Sequence, residues 1–118
     1  MVLRLLFISF LLGIAYMSLI PSESVNIGND KIGHFIAYMI LMLNAGLIFF
    51  KKKKKFLLAI LFCITYGFLI EILQQFVPGR FMSLEDFIAN TIGVIVGILL
   101  TYLLFRPIIQ LLKSMRII

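Results

Sequence analysis

The chain has 118 residues, of which 63% are hydrophobic, and it carries a formal net charge of +6. Its mean hydropathy of +1.16 excludes an ordinary soluble domain, in which roughly half of the residues are apolar, and indicates a membrane protein. The single cysteine, Cys63, lies in an apolar run and cannot pair within the chain, so a disulfide framework is excluded.

Four apolar stretches are long enough to cross a bilayer, for which a helix needs about 20 mostly apolar residues. They cover residues 3–20, 32–50, 56–77 and 86–105, and polar segments rich in turn residues separate them. Because helices satisfy their own backbone hydrogen bonds in lipid, we predict an all-α, polytopic membrane protein. Its four-helix transmembrane bundle would form a single domain over residues 1–118.

The first apolar stretch and the C-terminal tail differ from the other segments. The first apolar stretch has a basic start, like a signal peptide, but lacks a clear small-x-small cleavage site, so we predict an uncleaved anchor helix. Pro107 is predicted to break or bend the last helix. Residues 106–118 would then form a short cytoplasmic tail, either an interfacial helix or a frayed end.

The distribution of basic residues predicts the orientation of the bundle, because lysine and arginine are retained on the cytoplasmic side of a membrane. Nine basic residues fall at one end of the predicted bundle: Arg4, Lys51–Lys55, Arg106, Lys113 and Arg116. Only Lys31 and Arg80 fall at the other end, together with all five acidic residues. We therefore predict that both termini are cytoplasmic. The lysine run is a tight loop without interleaved aromatic residues, so we expect contact with anionic lipids and not with nucleic acid.

Glu71 is the most informative residue of the third stretch. A charged side chain near the bilayer centre costs roughly 2.5–3.5 kcal/mol and usually faces the interior of a helix bundle. Counting ~1.5 Å per residue from Phe56 places Glu71 roughly 22 Å into the span, in the half opposite the lysine loop. We therefore predict that Glu71 is protonated, or is paired with His34, Arg80 or a cation.

Helical spacing aligns further polar residues with Glu71 and predicts that three spans present polar stripes at one depth. The stripes consist of Gly67, Glu71, Gln74 and Pro78 in the third span, Asp86, Asn90, Gly93 and Gly97 in the fourth, and Asp30, His34 and Tyr38 in the second. Because lipid penalises these groups, we expect the stripes to face one another. Gly93 and Gly97 form a GxxxG pattern, and they and Gly67 are predicted to permit close helix packing.

The residue types at this depth indicate acid–base chemistry and recognition of an anionic head group. We interpret Glu71, His34 and Asp86 as candidate catalytic residues, because carboxyl and imidazole groups serve as general acids and bases. Lys31 and Arg80 would hold the head group. The predicted ligand-binding residues are Asp30, Lys31, Tyr38, Gln74, Gln75, Arg80, Ser83 and Asn90.

Several of these residues also have purely structural interpretations, which the sequence leaves open. Ser83 and Asp86 are spaced as a capping box at the start of the fourth helix, and Asp30 could cap the second. Arg80 could lie at the membrane interface or pair with an acid. The only histidine could join two helices through a hydrogen bond.

Metal binding is a lesser alternative. His34, Glu71 and Asp86 could together bind Zn²⁺ or another divalent ion, but the chain has one histidine and no H-E-x-x-H spacing. We therefore expect no metal and no other cofactor. The sequence contains no Walker loop, nucleotide fingerprint or G-x-S-x-G elbow.

Three sequence blocks together resemble the VanZ-like family of small bacterial membrane proteins. They are DKIGHFIAY at residues 30–38, EILQQFVPGR at 71–80 and SLEDFIANTIGVIVG at 83–97. The family pattern maps onto Asp30, Lys31, His34, Phe35, Tyr38, Glu71, Gln74, Arg80, Asp86, Asn90, Gly93 and Gly97. The resemblance implies a four-helix protein of the bacterial cytoplasmic (inner) membrane and a link to resistance against teicoplanin-type glycopeptide antibiotics. It implies no accepted reaction.

Three functions remain open. The first is a multi-pass envelope protein that binds an amphiphilic, lipid-linked or glycopeptide ligand, and in one version also modifies it. The ligand would lie in an extracytoplasmic polar pocket at the outer leaflet. The second is a non-catalytic scaffold whose polar residues lock helix packing, and the third is a proton or ion relay. The relay is disfavoured because the cytoplasmic halves of the spans are apolar apart from Asn44. Membrane lipids are expected partners, while enzyme activity and oligomeric state are left open.

Overall fold

The described residues form a helical bundle without strands. The computed structural model describes residues 2–20 and 30–116, with the backbone alone described for Asp30. Its elements are α1 (Val2–Leu19), α2 (Asp30–Phe49), α3 (Lys53–Gln74), α4 (Leu84–Leu100), a π-helical turn (Thr101–Phe105) and α5 (Arg106–Ser114). Four helical segments are long and apolar enough to cross a membrane, which confirms the predicted all-α transmembrane bundle.

Helix α3 differs from the predicted third span at both ends. It begins at Lys53 instead of residue 56, because lysine is a good helix former and the added lysine side chains are exposed. It ends at Gln74, and residues 75–79 form turns and a bend. The other predicted spans agree with α1, α2 and α4 to within a few residues at their starts.

The last helix changes its hydrogen-bonding pattern before Pro107 and then continues. Proline has no N–H, and its ring collides with the carbonyl four residues earlier in a regular α-helix. The structure has a π-helical turn at Thr101–Phe105, in which the Arg106 N–H donates to the Thr101 carbonyl. The π-helix is rare and occurs mostly as a single turn inside an α-helix, as it does here. Helix α5 then runs to Ser114 with no buried residue, so the chain is not broken at Pro107 and the tail is helical up to that point.

Helices α2 and α4 touch through their backbones at Gly93 and Gly97. A Cβ atom on Gly93 would collide with the Phe35 carbonyl oxygen and would lie 3.1 Å from the Met39 nitrogen. A Cβ atom on Gly97 would lie 2.7 Å from the Met39 carbonyl oxygen. The absence of a side chain at both positions therefore permits this close approach, as predicted from the GxxxG pattern.

The same seam continues to Gly46 and Thr101. A Cβ atom on Gly46 would lie 2.8 Å from the Thr101 Cγ2, so the Thr101 side chain fills the space that the glycine leaves open. The Thr101 hydroxyl donates to the Gly97 carbonyl at 2.9 Å, which satisfies this buried group within its own helix. The contacts advance in the same order along both helices, so α2 and α4 are parallel.

Side-chain donors of α3 attach α1 to the bundle. The Tyr66 hydroxyl donates to the Leu11 carbonyl, and the Gln74 amide nitrogen donates to the Ser18 carbonyl at 3.0 Å. These contacts also advance in the same order, so α1 and α3 are parallel. Ile14 and Ser18 are the buried residues of α1, and Phe7, Phe10 and Leu11 pack against the core beside Ile14. The two hydrogen bonds add to these apolar contacts.

A turn after α3 positions Arg80 against the C-terminal end of α1. Gly79 adopts a left-handed conformation with φ of 78°, and the Arg80 N–H donates to the Val77 carbonyl at 3.0 Å, which closes a turn through Pro78 and Gly79. The Arg80 Nε donates to the Ile20 carbonyl at 3.0 Å and its Nη2 donates to the Met17 carbonyl at 2.9 Å. Because carbonyls at a helix end lack helical partners, the guanidinium serves as a cap for α1.

The bundle has two chemically different ends and measures 52 × 22 × 22 Å. We call the end that carries Lys51–Lys55 the lysine end, and the end that carries His34, Glu71 and Asp86 the polar end. The start of α1 and the whole of α5 lie at the lysine end, because α1 and α3 are parallel and α4 runs toward that end.

Adding a methyl group at the α2–α4 contact should destabilise the bundle. We expect Gly93→Ala to lower the free energy of unfolding by about 1–3 kcal/mol, because the helices must separate to admit the new atom. Gly33→Ala is the matched control, since a Cβ atom there meets nothing within 4 Å. Thermal denaturation in detergent, followed by circular dichroism, checks the difference. Equal midpoints for the two variants would contradict the close contact.

Replacing Arg80 should loosen α1 selectively. We expect Arg80→Gln to speed amide hydrogen exchange in the C-terminal half of α1 and to leave α4 unchanged, because two hydrogen bonds from a charged donor are lost. Arg80→Lys should show an intermediate effect, since one ammonium group retains the charge but not the planar fork. Mass spectrometry of exchange measures this, and unchanged protection of α1 in Arg80→Gln would argue against the cap.

Candidate functional site

Three helices bring the candidate catalytic residues together at the polar end. One ring nitrogen of His34 and one carboxylate oxygen each of Glu71 and Asp86 lie within 4.8 Å of one another. The His34 Nδ1 lies 3.9 Å from the Glu71 Oε1. Glu71 has 0% of its surface exposed, His34 6% and Asp86 9%. Three ionisable groups therefore meet in the interior of the bundle.

Helical spacing explains why these residues meet. Glu71 lies in the last turn of α3, Asp86 in the first turn of α4, and His34 one turn into α2. The buried members of the predicted stripes are Gly67, Glu71 and Gln74 in α3, Asp86, Asn90, Gly93 and Gly97 in α4, and His34 and Tyr38 in α2. The predicted convergence of three polar stripes is thus present in the fold. Pro78 lies beyond the end of α3 and is exposed.

Hydrogen bonds orient the imidazole and one carboxylate. The His34 Nδ1 lies 2.9 Å from the Asn90 Oδ1, and because this amide oxygen is an acceptor, Nδ1 is the donor. The Ser83 N–H donates to the Glu71 Oε2 at 3.2 Å. The Ser83 hydroxyl accepts from the Asp86 N–H at 3.2 Å, which confirms the N-cap half of the predicted capping box. The start of α4 is therefore tied to Glu71 of α3.

Two further polar side chains, Tyr38 and Asn90, lie next to His34, Glu71 and Asp86. Tyr38 is fully buried and Asn90 is 2% exposed, and both pack around Gly67, where a Cβ atom would lie 3.2 Å from the Tyr38 Cε1 and 3.4 Å from the Asn90 Nδ2. Within the described ranges, the Tyr38 hydroxyl and the Asn90 Nδ2 make no hydrogen bond. Buried donors of this kind are uncommon in proteins and call for an explanation. We call His34, Glu71, Asp86, Tyr38 and Asn90 the polar cluster.

Gln74 and Arg80 are engaged with α1 in the structure. Gln74 is 1% exposed and Arg80 is 8% exposed, and both donate to backbone carbonyls of α1 as described above. Their predicted role in binding a ligand stays a prediction. The structure shows a helix-packing role that the sequence analysis did not specify for Arg80.

The remaining predicted ligand-binding residues lie at the margin of the cluster. Lys31 forms an ion pair with Glu85, which joins α2 to α4, and both side chains are more than half exposed. Gln75 is exposed at the C-terminal end of α3. Asp30 begins α2, but its side chain lies outside the described residues.

Three structurally important residues were missed by the sequence analysis. Tyr66 binds the α1 backbone, Glu85 pairs with Lys31, and Thr101 packs on Gly46. Thr101 follows Gly97 by one helical repeat, so extending the glycine stripe by that interval would have found it. Tyr66 carries no comparable signal, because its partner is a backbone carbonyl.

A groove in the described part of the chain lies at the lysine end, away from the polar cluster. It has a volume of about 700 Å³ and is lined by apolar side chains of α1, α2 and α3, together with Arg4 and Lys55. The polar cluster itself is enclosed by helices. The extracytoplasmic polar pocket therefore stays a prediction, and what the structure shows is a buried group of polar side chains.

The polar cluster can support two kinds of chemistry. The imidazole of His34 and the carboxyl groups of Glu71 and Asp86 can exchange protons with a bound polar group. The same nitrogen and oxygen atoms can also act as ligands of a divalent cation. The hydrogen bond that His34 donates to Asn90 and the one that the Ser83 N–H donates to Glu71 fix the orientation that either chemistry requires.

Comparison with known proteins identifies the family. The family model described as VanZ/LLP1 matches residues 5–106. An uncharacterized protein of the fission yeast Schizosaccharomyces pombe is 31% identical over 113 residues, which cover 94% of this chain and 69% of the yeast protein. No solved structure matches the chain. The match includes the helices that supply every residue of the polar cluster, and the chain belongs to the VanZ/LLP1 family.

Proposed function

We propose that the protein binds an amphiphilic or lipid-linked molecule of the cell envelope at the polar end of its bundle. The observation that carries this proposal is the convergence of His34, Glu71 and Asp86 from three helices in the interior of the bundle. In a bacterium, the protein would lie in the cytoplasmic membrane with the polar end outside, and binding would affect the response to teicoplanin-type glycopeptides.

The cost of the polar cluster supports a functional role. An ionisable group inside a span is expensive and is typical of a ligand or proton site. Apolar or small residues can hold helices together at lower cost, and this chain uses Gly93 and Gly97 for that purpose. Packing of α1 is carried by Gln74 and Arg80. The cluster also joins helices, through the His34–Asn90 and Ser83–Glu71 hydrogen bonds. Neither bond requires two buried carboxyl groups beside an imidazole, so packing alone does not account for the ionisable side chains of the cluster.

The surface around the polar end suits an amphiphilic ligand. Phe76 is 75% exposed, Phe81 82% and Leu84 72%. Exposed apolar side chains at this end of a membrane bundle would contact acyl chains, as the exposed apolar side chains along the spans do. The exposed Lys31–Glu85 pair lies at the same end. Acyl chains would therefore stay in the bilayer while the head group lies next to Lys31.

A head group would approach the polar cluster between the N-terminal ends of α2 and α4. Lys31 and Glu85 bridge these helices there, and an exposed ion pair contributes little to stability. Exchanging this pair for a contact between Lys31 and an anionic head group would therefore cost little. The head group would then approach His34 and Asp86, which begin the buried part of the same two helices. Proton exchange between His34 and Glu71 would support modification of the ligand.

Neutral substitutions in the cluster test this function. We expect Glu71→Gln and Asp86→Asn to lose the effect of the protein on teicoplanin susceptibility in a sensitive bacterial host, because each removes an ionisable oxygen while it preserves side-chain size. Lys53→Gln is the control, since it also neutralises one charged side chain but lies exposed at the lysine end, away from the cluster and from the Lys31–Glu85 pair, and should keep the effect. Susceptibility is scored together with protein abundance in the membrane.

Two results would count against the proposal. Full activity of Glu71→Gln and Asp86→Asn at normal abundance would exclude a functional role for the cluster. Loss of activity that follows loss of abundance in every cluster variant would favour the scaffold function instead.

The orientation of the bundle has its own test. In a Cys63→Ala background, which has no other cysteine, a cysteine at Glu85 should react with a membrane-impermeant maleimide in intact cells. A cysteine at Lys53 should react only after permeabilisation, because basic loops stay in the cytoplasm. The opposite labelling pattern would reverse the orientation and would exclude an extracytoplasmic site.

A further inference from the structure

We infer that His34, Glu71 and Asp86 bind a divalent transition-metal ion, for which Zn²⁺ is the best match. The inference rests on the proposed function and deepens it, because the ion would hold the head group of the ligand. The sequence disfavoured a metal site because only one histidine is present and no metal-binding spacing occurs. The fold nevertheless brings the three potential metal ligands together from three separate helices, which no spacing within one helix could indicate.

The geometry of the three side chains is close to that of a coordination site. Zinc binds imidazole nitrogen and carboxylate oxygen at about 2.0–2.2 Å, which places tetrahedral ligands about 3.3–3.6 Å apart. The three potential ligand atoms lie within 4.8 Å of one another. Side-chain movements of about 1 Å would therefore complete the site. One imidazole and two carboxylates form a mixed nitrogen and oxygen set, which suits Zn²⁺ better than Ca²⁺ or Mg²⁺.

The surrounding hydrogen bonds are those that metal ligands require. A metal-bound histidine donates its other ring N–H to an oxygen acceptor, which fixes the ring and the tautomer. The His34 Nδ1 has such a contact with the Asn90 Oδ1 at 2.9 Å, and it is also the ring nitrogen that lies 3.9 Å from the Glu71 Oε1. Coordination through Nε2 therefore requires the imidazole to turn toward the two carboxylates while Nδ1 keeps its bond to Asn90. Ligand carboxylates are in turn hydrogen-bonded, and the Glu71 Oε2 accepts from the Ser83 N–H at 3.2 Å.

The charge of the site also favours a divalent cation. With both carboxylates ionised, Glu71 and Asp86 place two negative charges in the interior of a membrane bundle. Two ionised carboxylates this close together repel each other, and either a proton or a cation relieves that repulsion. A divalent ion between them would neutralise both charges at once, in addition to the contacts that these side chains make within the protein.

Two buried donors supply an independent observation that points to a ligand. The Tyr38 hydroxyl and the Asn90 Nδ2 are buried beside the three side chains and make no hydrogen bond to other described residues. Catalytic zinc sites have three protein ligands and one open position for water or substrate. Tyr38 and Asn90 pack around Gly67, one helical turn from Glu71, so a water or ligand oxygen that extends from that position toward Gly67 would offer these two donors an acceptor.

The metal would define the class of ligand. A divalent ion binds and polarises oxygen atoms of phosphoryl and carbonyl groups. The ligand of the polar end is therefore inferred to carry an oxygen-rich anionic head group, such as a phosphate ester, on an apolar tail. The exposed Lys31 at the same end has the matching charge.

Metal content provides the test. The full-length protein is purified in detergent, stripped with a chelator, incubated with Zn²⁺ alone and washed, and bound zinc is measured by elemental mass spectrometry. We expect about one Zn²⁺ per chain in the wild type and in Glu85→Gln, and less than about a tenth of that in Glu71→Gln and Asp86→Asn, since three protein ligands define the site. Equal zinc in all four proteins, or none in the wild type, would overturn the inference.

A second measurement does not depend on how well the variants fold. Wild-type protein incubated with Co²⁺ should show absorption bands typical of cobalt with low coordination number and mixed nitrogen and oxygen ligands. The absence of such bands would overturn the inference.

The metal inference and the proposed function can fail separately. If the wild type binds no zinc but Glu71→Gln still abolishes the effect on susceptibility, the metal inference fails and the proposed function stands. If zinc binds stoichiometrically while Glu71→Gln keeps full effect on susceptibility, the site binds metal and the proposed function fails.

Discussion

The close approach of α2 and α4 is the contact on which the rest of the structure depends. Gly93 and Gly97 lack side chains, so the α4 backbone lies directly against the backbone of α2 at Phe35 and Met39. This contact fixes the relative height of the two helices. It thereby places His34, next to Phe35, within hydrogen-bond distance of Asn90, one turn before Gly93. Side chains at the two glycines would separate the helices and with them the groups of the polar cluster.

The polar residues of the bundle divide into two groups with different roles. Tyr66, Gln74 and Arg80 donate to backbone carbonyls of α1 and hold a helix that buries little of its own surface. The polar cluster instead gathers ionisable groups around buried donors without hydrogen-bond partners in the described part of the chain. Packing alone accounts for the first group. The second places three ionisable side chains together in the interior of the bundle, an arrangement that is costly in a membrane and is typical of functional sites.

The sequence predicts the spans and the depth of the polar cluster because both follow from periodic properties. Apolar length gives the four spans, and helical spacing aligns Glu71 with Gly67 and Asp86 with Asn90. Other features depend on tertiary contacts that leave no periodic signal. An arginine at position 80 fits a head-group contact and a helix cap equally well. Its partner is the backbone carbonyl of Met17, which a residue of any type would supply, so the sequence does not reveal the contact. The π-helical turn before Pro107 similarly reflects how the helix accommodates proline, which the residue itself does not specify.

The central claim is that His34 and Asn90 meet inside the bundle and support the polar cluster. Solid-state nuclear magnetic resonance in lipid bilayers tests it most directly, because the single histidine can be labelled with ¹⁵N in its ring without ambiguity. With ¹³C-labelled asparagine, the ring nitrogen should show dipolar coupling to a side-chain carboxamide carbon, as the 2.9 Å separation of Nδ1 and Oδ1 requires. The coupling should disappear in Asn90→Ala. A wild-type protein without this coupling would contradict the account.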